Sequence, residues 1–230
     1  MTTPRATAVF FDVDFTLIYP GPTFQGEGYV RFCARHSIRI DSSRFSDAVI
    51  AASPILDDDQ QVLYDEEVYV LYTRTIIEGM GGTGDALDAC AREIYAEWAA
   101  CQHFFLYDDV KPVLRELAEA GYKVGLISNS HRCLASFQQH FDLDGLIAGA
   151  VSSSEHGYLK PHPSIFEAAL KLVGVRPQDA VMVGDSLKHD IEGARRAGMR
   201  GVLVRRAGQH GRTVDHVPVI ASLSELPPLL

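Results

Sequence analysis

Short apolar runs that each end on a polar residue constrain the fold of this chain more than any other feature. Three of them are clear: AVFFD at residues 8–12, KVGLISN at 123–129 and AVMVGD at 180–185. Two weaker runs of the same kind surround Val151 and Val202. Because apolar and polar residues do not alternate within them, the runs are typical of strands covered on both faces, as in parallel sheets.

Helical patterns lie between these runs. Apolar residues recur at helical spacing in 110–118, before Gly121, and again in 134–141 and in 166–173, before Gly174. Alternation of strand and helix predicts a right-handed, doubly wound α/β fold. We therefore expect a Rossmann-like, three-layer α/β/α core with a mostly parallel sheet.

The segment 18–107 has a different character. It contains several helical patterns and no convincing strand, it begins with the turn-rich YPGP at 19–22, and it ends with the acidic LYDD at 106–109. This composition predicts a helical cap domain, residues 18–107, inserted into an α/β core formed by 1–17 and 108–230.

Charge and composition limit the functions open to the chain. A formal net charge of −9 over 230 residues argues against nucleic-acid binding, which needs a cationic surface. An anionic substrate would need a locally positive site. No apolar run has the length of a membrane span, no signal-peptide pattern stands at the N-terminus, and the four cysteines are scattered. We expect a cytoplasmic protein with no membrane or nucleic-acid partner, and the sequence leaves its oligomeric state open.

Polar side chains follow three of the predicted strands. Asp12 follows the first, Ser128 and Asn129 end the second, and Asp185 ends the third. Ligands of open parallel sheets gather beyond the carboxyl ends of the strands, so these side chains should converge on one crevice. An aspartate after a strand also caps turns and helices, so the pair Asp12 and Asp14 alone leaves a structural role open.

Two later segments add chemistry to this crevice. Lys160 precedes Pro-His-Pro at the start of a predicted helix, where a lone lysine would ordinarily be a solvated charge. Asp185 and Asp190 lie five residues apart across a strand-to-helix turn. Two such carboxylates cap helices or hold a hard cation.

Together, these segments resemble the haloacid dehalogenase superfamily of phosphohydrolases, in the subclass with a helical cap. The resemblance covers residues 5–17 and 108–210, and the inserted region matches only in its placement. It rests on motifs that occur in the family's order: Asp12, Asp14 and Thr16 after the first strand, Ser128 after the second, then Lys160, Asp185 and Asp190.

The resemblance implies an enzyme, a phosphoric monoester hydrolase dependent on Mg²⁺ that acts on a small phosphorylated metabolite. Asp12 would be the nucleophile that forms an aspartyl-phosphate. Asp14 would be the general acid toward the leaving oxygen and then the general base for water. The Asp12 carboxylate, the Asp14 backbone carbonyl and Asp185 would hold the metal.

The resemblance also implies a set of phosphate-binding residues. Lys160 would add positive charge, and the Ser128 hydroxyl would bind phosphoryl oxygens, with Thr16 and Asn129 as further substrate contacts. A turn or helix-cap role for Asn129 stays open. Asp190 would take part in catalysis by orienting Lys160 or a metal-bound water.

Two features keep other functions open. Phe15 stands where the family commonly has glycine, and the residues that select the substrate cannot be identified, although Tyr19 and Phe24 are candidates. A 2-haloacid dehalogenase also forms an aspartyl ester, but enzymes of that class have no acid at the position of Asp14 and need no metal. A phosphomutase would transfer the phosphoryl group to another hydroxyl, and a non-catalytic binding module would use the cap to engage a protein.

Overall fold

The structure is a computed structural model of the 230-residue chain and describes residues 6–58, 60–206 and 216–230. Residues 1–5 of the predicted core segment 1–17, and 207–215 of the segment 108–230, lie outside the described residues.

Six strands of the described residues form one parallel sheet with Ala8–Phe11 (β1) near its centre. Phe11 of β1 aligns with Leu126 on one side and Val183 on the other, so the residues after these positions meet at one edge of the sheet. The predicted α/β class is confirmed. In spatial order the strands are β5 (Ile147–Ser152), β4 (Lys123–Ser128), β1 (Ala8–Phe11), β6 (Ala180–Gly184), β7 (Arg200–Val204) and β8 (Val219–Ile220).

Helices follow the strands of the sheet and supply its hydrophobic core. The longest of these buries Ile165 and Phe166 in a cluster that includes Phe10 of β1. It ends at Gly174, whose φ of +69° is the left-handed conformation that favours glycine. The helices are α5 (Val110–Glu119), α6 (Leu134–His140), α7 (Ser153–His156), α8 (Pro163–Val173), a π-helix (Leu187–Glu192) and α9 (Gly193–Arg196).

The chain divides into two compact units. One comprises the residues up to Tyr19 and those from Leu106 onward, and the other is Pro20–Phe105. The second unit is helical and contains α1 (Gly26–Arg35), α2 (Phe45–Ala52), α3 (Glu66–Gly79) and α4 (Leu87–Glu97).

Two short strands lie where the chain passes between the units. Ile18–Pro20 (β2) and Phe104–Leu106 (β3) pair in a separate two-stranded sheet. The sequence pattern predicted no strand within 18–107, and this was wrong at both ends of the segment. Three residues are too few to produce a strand periodicity.

The core of the helical unit is aromatic. Phe24 is 2% exposed, and its ring centroid lies 4.5 Å from that of Trp98 and 5.4 Å from that of Phe104. Phe24 is therefore a packing residue, and the prediction that it contacts substrate was wrong. No helix among the described residues is both long enough and apolar enough to cross a membrane.

Candidate active site

Asp12 lies at the carboxyl end of the central strand. Its backbone N–H donates to the Val183 carbonyl at 2.9 Å, which continues the ladder one residue beyond β1. Its carboxylate is almost buried: Oδ1 accepts from Lys160 Nζ at 2.6 Å, and Oδ2 accepts from the Thr16 hydroxyl at 3.1 Å. These two contacts fix the orientation of the carboxylate.

Lys160 is buried, unlike a typical surface lysine. Its Nζ donates to Asp12 Oδ1, to Asp190 Oδ1 at 2.7 Å and to the Ile127 carbonyl at 2.8 Å. Burial lowers the pKa of Lys160, but Asp12 and Asp190 raise it, and the net direction is upward. The ammonium is thus charged and held by three acceptors, which match its three N–H groups.

Asp190 is the second carboxylate that accepts a hydrogen bond from Lys160. It is 1% exposed, and its second oxygen, Oδ2, accepts from the Ser186 N–H at 2.9 Å. Gly184 makes the approach of this carboxylate feasible, because a Cβ added at Gly184 would collide with the Asp190 side chain. The presence of glycine before Asp185 is therefore explained by the space that the Asp190 side chain occupies.

Asp12, Asp185 and Asp190 form an acidic cluster in which one carboxylate oxygen from each residue lies within 4.8 Å of those of the other two. Burial and the neighbouring carboxylates outweigh the attraction of Lys160 and raise the pKa of Asp12 to about 7. Burial, then Asp12 and Asp190, raise the pKa of Asp185 well above its usual range. Three carboxylates crowded this closely favour a divalent cation between them, and carboxylate oxygens are the ligands that Mg²⁺ prefers. The residues fit such an ion.

The loop after β4 is tied to Lys160. The Ser128 hydroxyl is 1% exposed and donates to Ser130 Oγ at 3.0 Å. The Asn129 amide donates to the Lys160 carbonyl at 2.9 Å, and its oxygen accepts from the Lys160 N–H at 2.7 Å. Asn129 thus fixes the position of the Lys160 backbone. A direct contact of substrate with Asn129, or with the buried Thr16, stays a prediction.

Asp14 is paired with Arg132, a residue that the sequence interpretation missed. Arg132 Nη1 lies 3.0 Å from both oxygens of Asp14. The Arg132 side chain is 1% exposed, and that of Asp14 is 18% exposed. Arg132 sits in the polar stretch Asn-Ser-His-Arg after β4, where a basic residue suggests a surface loop. Its nearness in sequence to Ser128 was the one signal that could have identified it.

A tight turn follows Asp12 and contains Asp14. The Leu17 N–H donates to the Val13 carbonyl at 2.8 Å, and Phe15 has φ +63° with 41% of its surface exposed. This left-handed conformation is costly for a side chain with a Cβ and free for glycine. Phe15 therefore adopts the backbone geometry that explains a glycine at this position in the family that the sequence resembles.

Known proteins resemble this chain over most of its length. The family model of the haloacid dehalogenase-like hydrolases matches residues 6–198. N-acylneuraminate-9-phosphatase from Mus musculus is 32% identical over 250 residues, covering 98% of this chain and 94% of that protein. Glyceraldehyde 3-phosphate phosphatase from Methanopyrus kandleri is 32% identical over 225 residues, covering 92% and 90%. The solved structure of a 2-haloacid dehalogenase from Pseudomonas syringae superimposes with a TM-score of 0.65 at 25% identity, covering 98% of each chain.

Proposed function

This chain belongs to the haloacid dehalogenase-like hydrolases and, with its relatives, to the phosphoric monoester hydrolases, and we propose that it is a cytoplasmic, Mg²⁺-dependent phosphatase of a small phosphorylated metabolite. One observation carries the proposal. The Asp12 carboxylate is oriented by Lys160 at 2.6 Å within a buried cluster that also contains Asp185 and Asp190.

Electrostatics explain why the cluster needs this composition. A carboxylate and a phosphate oxyanion about 4 Å apart repel by roughly 4 kcal/mol at an effective dielectric near 20. In our proposal the Asp12 carboxylate, the Asp14 backbone carbonyl and Asp185 hold Mg²⁺, which supplies charge neutralisation at the reacting phosphoryl oxygens. Lys160 adds a permanent positive charge. Because Lys160 has its three protons engaged, its contribution is neutralisation of Asp12 rather than a new bond to phosphate.

The reaction then takes two steps on side chains of this protein. An oxygen of Asp12 bonds to phosphorus as the bond to the leaving oxygen breaks, and Asp14 gives that oxygen its proton. Asp14 next takes a proton from water, which attacks phosphorus and releases phosphate from Asp12. The Ser128 hydroxyl, at the end of β4, turns its proton from Ser130 Oγ to a phosphoryl oxygen during both steps.

The helical unit Pro20–Phe105 is proposed to select the substrate as a cap. Tyr19, which is 39% exposed and directly precedes this unit, stays the predicted contact for the leaving group. Small phosphorylated metabolites are favoured because the curated relatives named above are phosphatases of such compounds.

Phosphate release from p-nitrophenyl phosphate tests the proposal. We expect turnover with Mg²⁺, none with a chelator and none in Asp12→Asn. The matched control is Asp144→Asn, which removes an exposed carboxylate and should leave the rate unchanged. Turnover that survives either the chelator or Asp12→Asn would overturn the proposal.

A 2-haloacid dehalogenase is the second candidate, because a solved structure of that name shares the fold. The two chemistries differ in the atom that water attacks. A dehalogenase hydrolyses its ester at the Asp12 carbonyl carbon, which places a solvent oxygen in the protein, whereas a phosphatase places it in the released phosphate. Asp14 favours the phosphatase, since a halide needs no proton on leaving. A single turnover in oxygen-18 water, followed by mass spectrometry of the peptide around Asp12, distinguishes them.

A further inference from the structure

The pairing of Arg132 with Asp14 carries an inference beyond the residues of the family signature. We propose that Arg132 is a positioning residue that holds the Asp14 carboxylate where it exchanges a proton with the leaving oxygen and with water. The inference rests on the proposed phosphatase function.

Burial is the first argument. Arg132 is among the largest fully buried side chains of the described residues, and its Nη1 contacts both oxygens of Asp14 at 3.0 Å. A buried guanidinium is tolerated only with a partner that offsets its desolvation. Asp14 is such a partner, so the burial of Arg132 and the orientation of Asp14 depend on each other.

The division of cations between the two aspartates is the second argument. Asp12 is held by Lys160, and Asp14 is held by Arg132. The two carboxylates are separated in sequence by one residue and have different proposed tasks. Each is fixed by its own cation, so the nucleophile and the proton carrier are oriented independently.

The placement of Arg132 is the third argument. It follows Ser128 by four residues in the loop after β4, whereas Asp14 lies in the loop after β1. The ion pair therefore joins the loop of the proposed phosphate-binding hydroxyl to the loop of the proposed acid. A partly exposed aspartate without this restraint would sample several rotamers, and misplacement by about 1 Å can lower a rate about 100-fold.

The contact geometry leaves Asp14 able to act. A carboxylate offers about four lone-pair sites, and the approach of a single Nη1 to both oxygens uses two of them. The remaining sites, on a side chain that is 18% exposed, can face the substrate and water. Arg132 thus restrains the carboxylate without enclosing it.

Leaving-group dependence separates this role from a merely structural one. A p-nitrophenolate leaves without a proton, whereas an alkoxide requires one, so loss of the acid affects alkyl phosphates selectively. We would measure kcat and KM of Arg132→Met, Arg132→Lys and Asp14→Asn on two substrates. One is p-nitrophenyl phosphate. The other is the alkyl phosphate that the wild type turns over fastest in a panel of sugar and glycerol phosphates. Arg176→Met, which breaks an exposed ion pair with Asp179, is the matched control.

We expect Arg132→Met to lower kcat on the alkyl phosphate about 100-fold or more, and on p-nitrophenyl phosphate less than about tenfold, with KM little changed. Arg132→Lys keeps the charge but not the planar donors, so it should fall between wild type and Arg132→Met. Adding Arg132→Met to Asp14→Asn should produce no further selective loss.

Equal losses on both substrates in Arg132→Met and Arg132→Lys would overturn the inference, as would additive effects with Asp14→Asn. If Arg132→Met does not fold, Arg132→Lys decides by the same ratio of the two losses. Absence of Mg²⁺-dependent turnover of either ester by the wild type is a different result, because it contradicts the proposed function itself.

Discussion

Replacing Asp12 by asparagine should abolish turnover and, without metal, stabilise the fold. The pKa of Asp12 is raised from 3.8 to about 7, chiefly by burial, with Asp190 and Asp14 adding to the rise and Lys160 opposing it. A carboxyl with a raised pKa binds its proton more tightly in the folded state. Its stabilising contribution is therefore complete below its unfolded pKa and is lost as the pH rises through about 7. Asparagine carries no charge and keeps an oxygen that can accept from Lys160.

The size of the effect follows from the two pKa values. The difference between 3.8 and about 7 corresponds to about 4 kcal/mol over the full pH range, at about 1.4 kcal/mol per pKa unit. Between about pH 5 and about pH 8, the wild type should lose roughly 2–3 kcal/mol relative to Asp12→Asn. Mg²⁺ at about 100 times its Kd should reduce the difference at pH 8 by more than half, because it stabilises the wild type by about 2.7 kcal/mol.

Urea unfolding followed by far-ultraviolet circular dichroism measures both effects. Wild type and Asp12→Asn would be compared in EDTA at the two pH values and again in Mg²⁺, with Asp144→Asn as the control for removal of an exposed carboxylate. A stability difference that does not change with pH in EDTA would refute the reasoning that the cluster crowds negative charge at Asp12.

Three further changes test other parts of the account. Lys160→Met leaves Asp12 and Asp190 without their cation. The unfolding free energy should therefore fall by about 3–5 kcal/mol, and kcat should fall by about 100-fold or more. The control variant Lys171→Met, at an exposed lysine, should change neither quantity. Asp185→Asn should raise the Mg²⁺ concentration for half-maximal activity at least about tenfold, measured by titration of turnover. Phe24→Ala should destabilise the helical unit by about 3–5 kcal/mol in thermal or urea unfolding, whereas Phe105→Ala, which truncates a 49% exposed ring, should cost far less. If Lys160→Met, Asp185→Asn or Phe24→Ala leaves the quantity measured for it unchanged, the corresponding prediction is contradicted.

The central strands of the sheet could be predicted because they are buried on both faces. The run at 180–185 corresponds to β6 (Ala180–Gly184), and that at 123–129 to β4 (Lys123–Ser128). The strands that were missed, Ile18–Pro20, Phe104–Leu106 and Val219–Ile220, have two or three residues, and no periodicity can be detected over so short a length.

The convergence of polar groups could also be predicted, since it follows from parallel strands that end at one edge. Lys160 is an example: its nitrogen reaches Asp12 although 148 residues separate them. Arg132 was missed because its partner Asp14 lies 118 residues away and no local pattern connects them. Phe24 was misassigned because closeness in sequence to the nucleophile loop does not reveal that the ring packs inside the helical unit.

The stereochemical course at phosphorus is the most direct test of the central claim, that Asp12 attacks the phosphoryl group before water does. A phosphorothioate ester made chiral at phosphorus with two oxygen isotopes would be hydrolysed by the wild type in water enriched in the third isotope, and the configuration of the thiophosphate product determined. Two successive displacements, the first by Asp12, predict retention of configuration. Inversion would mean a single direct attack by water and would contradict the account.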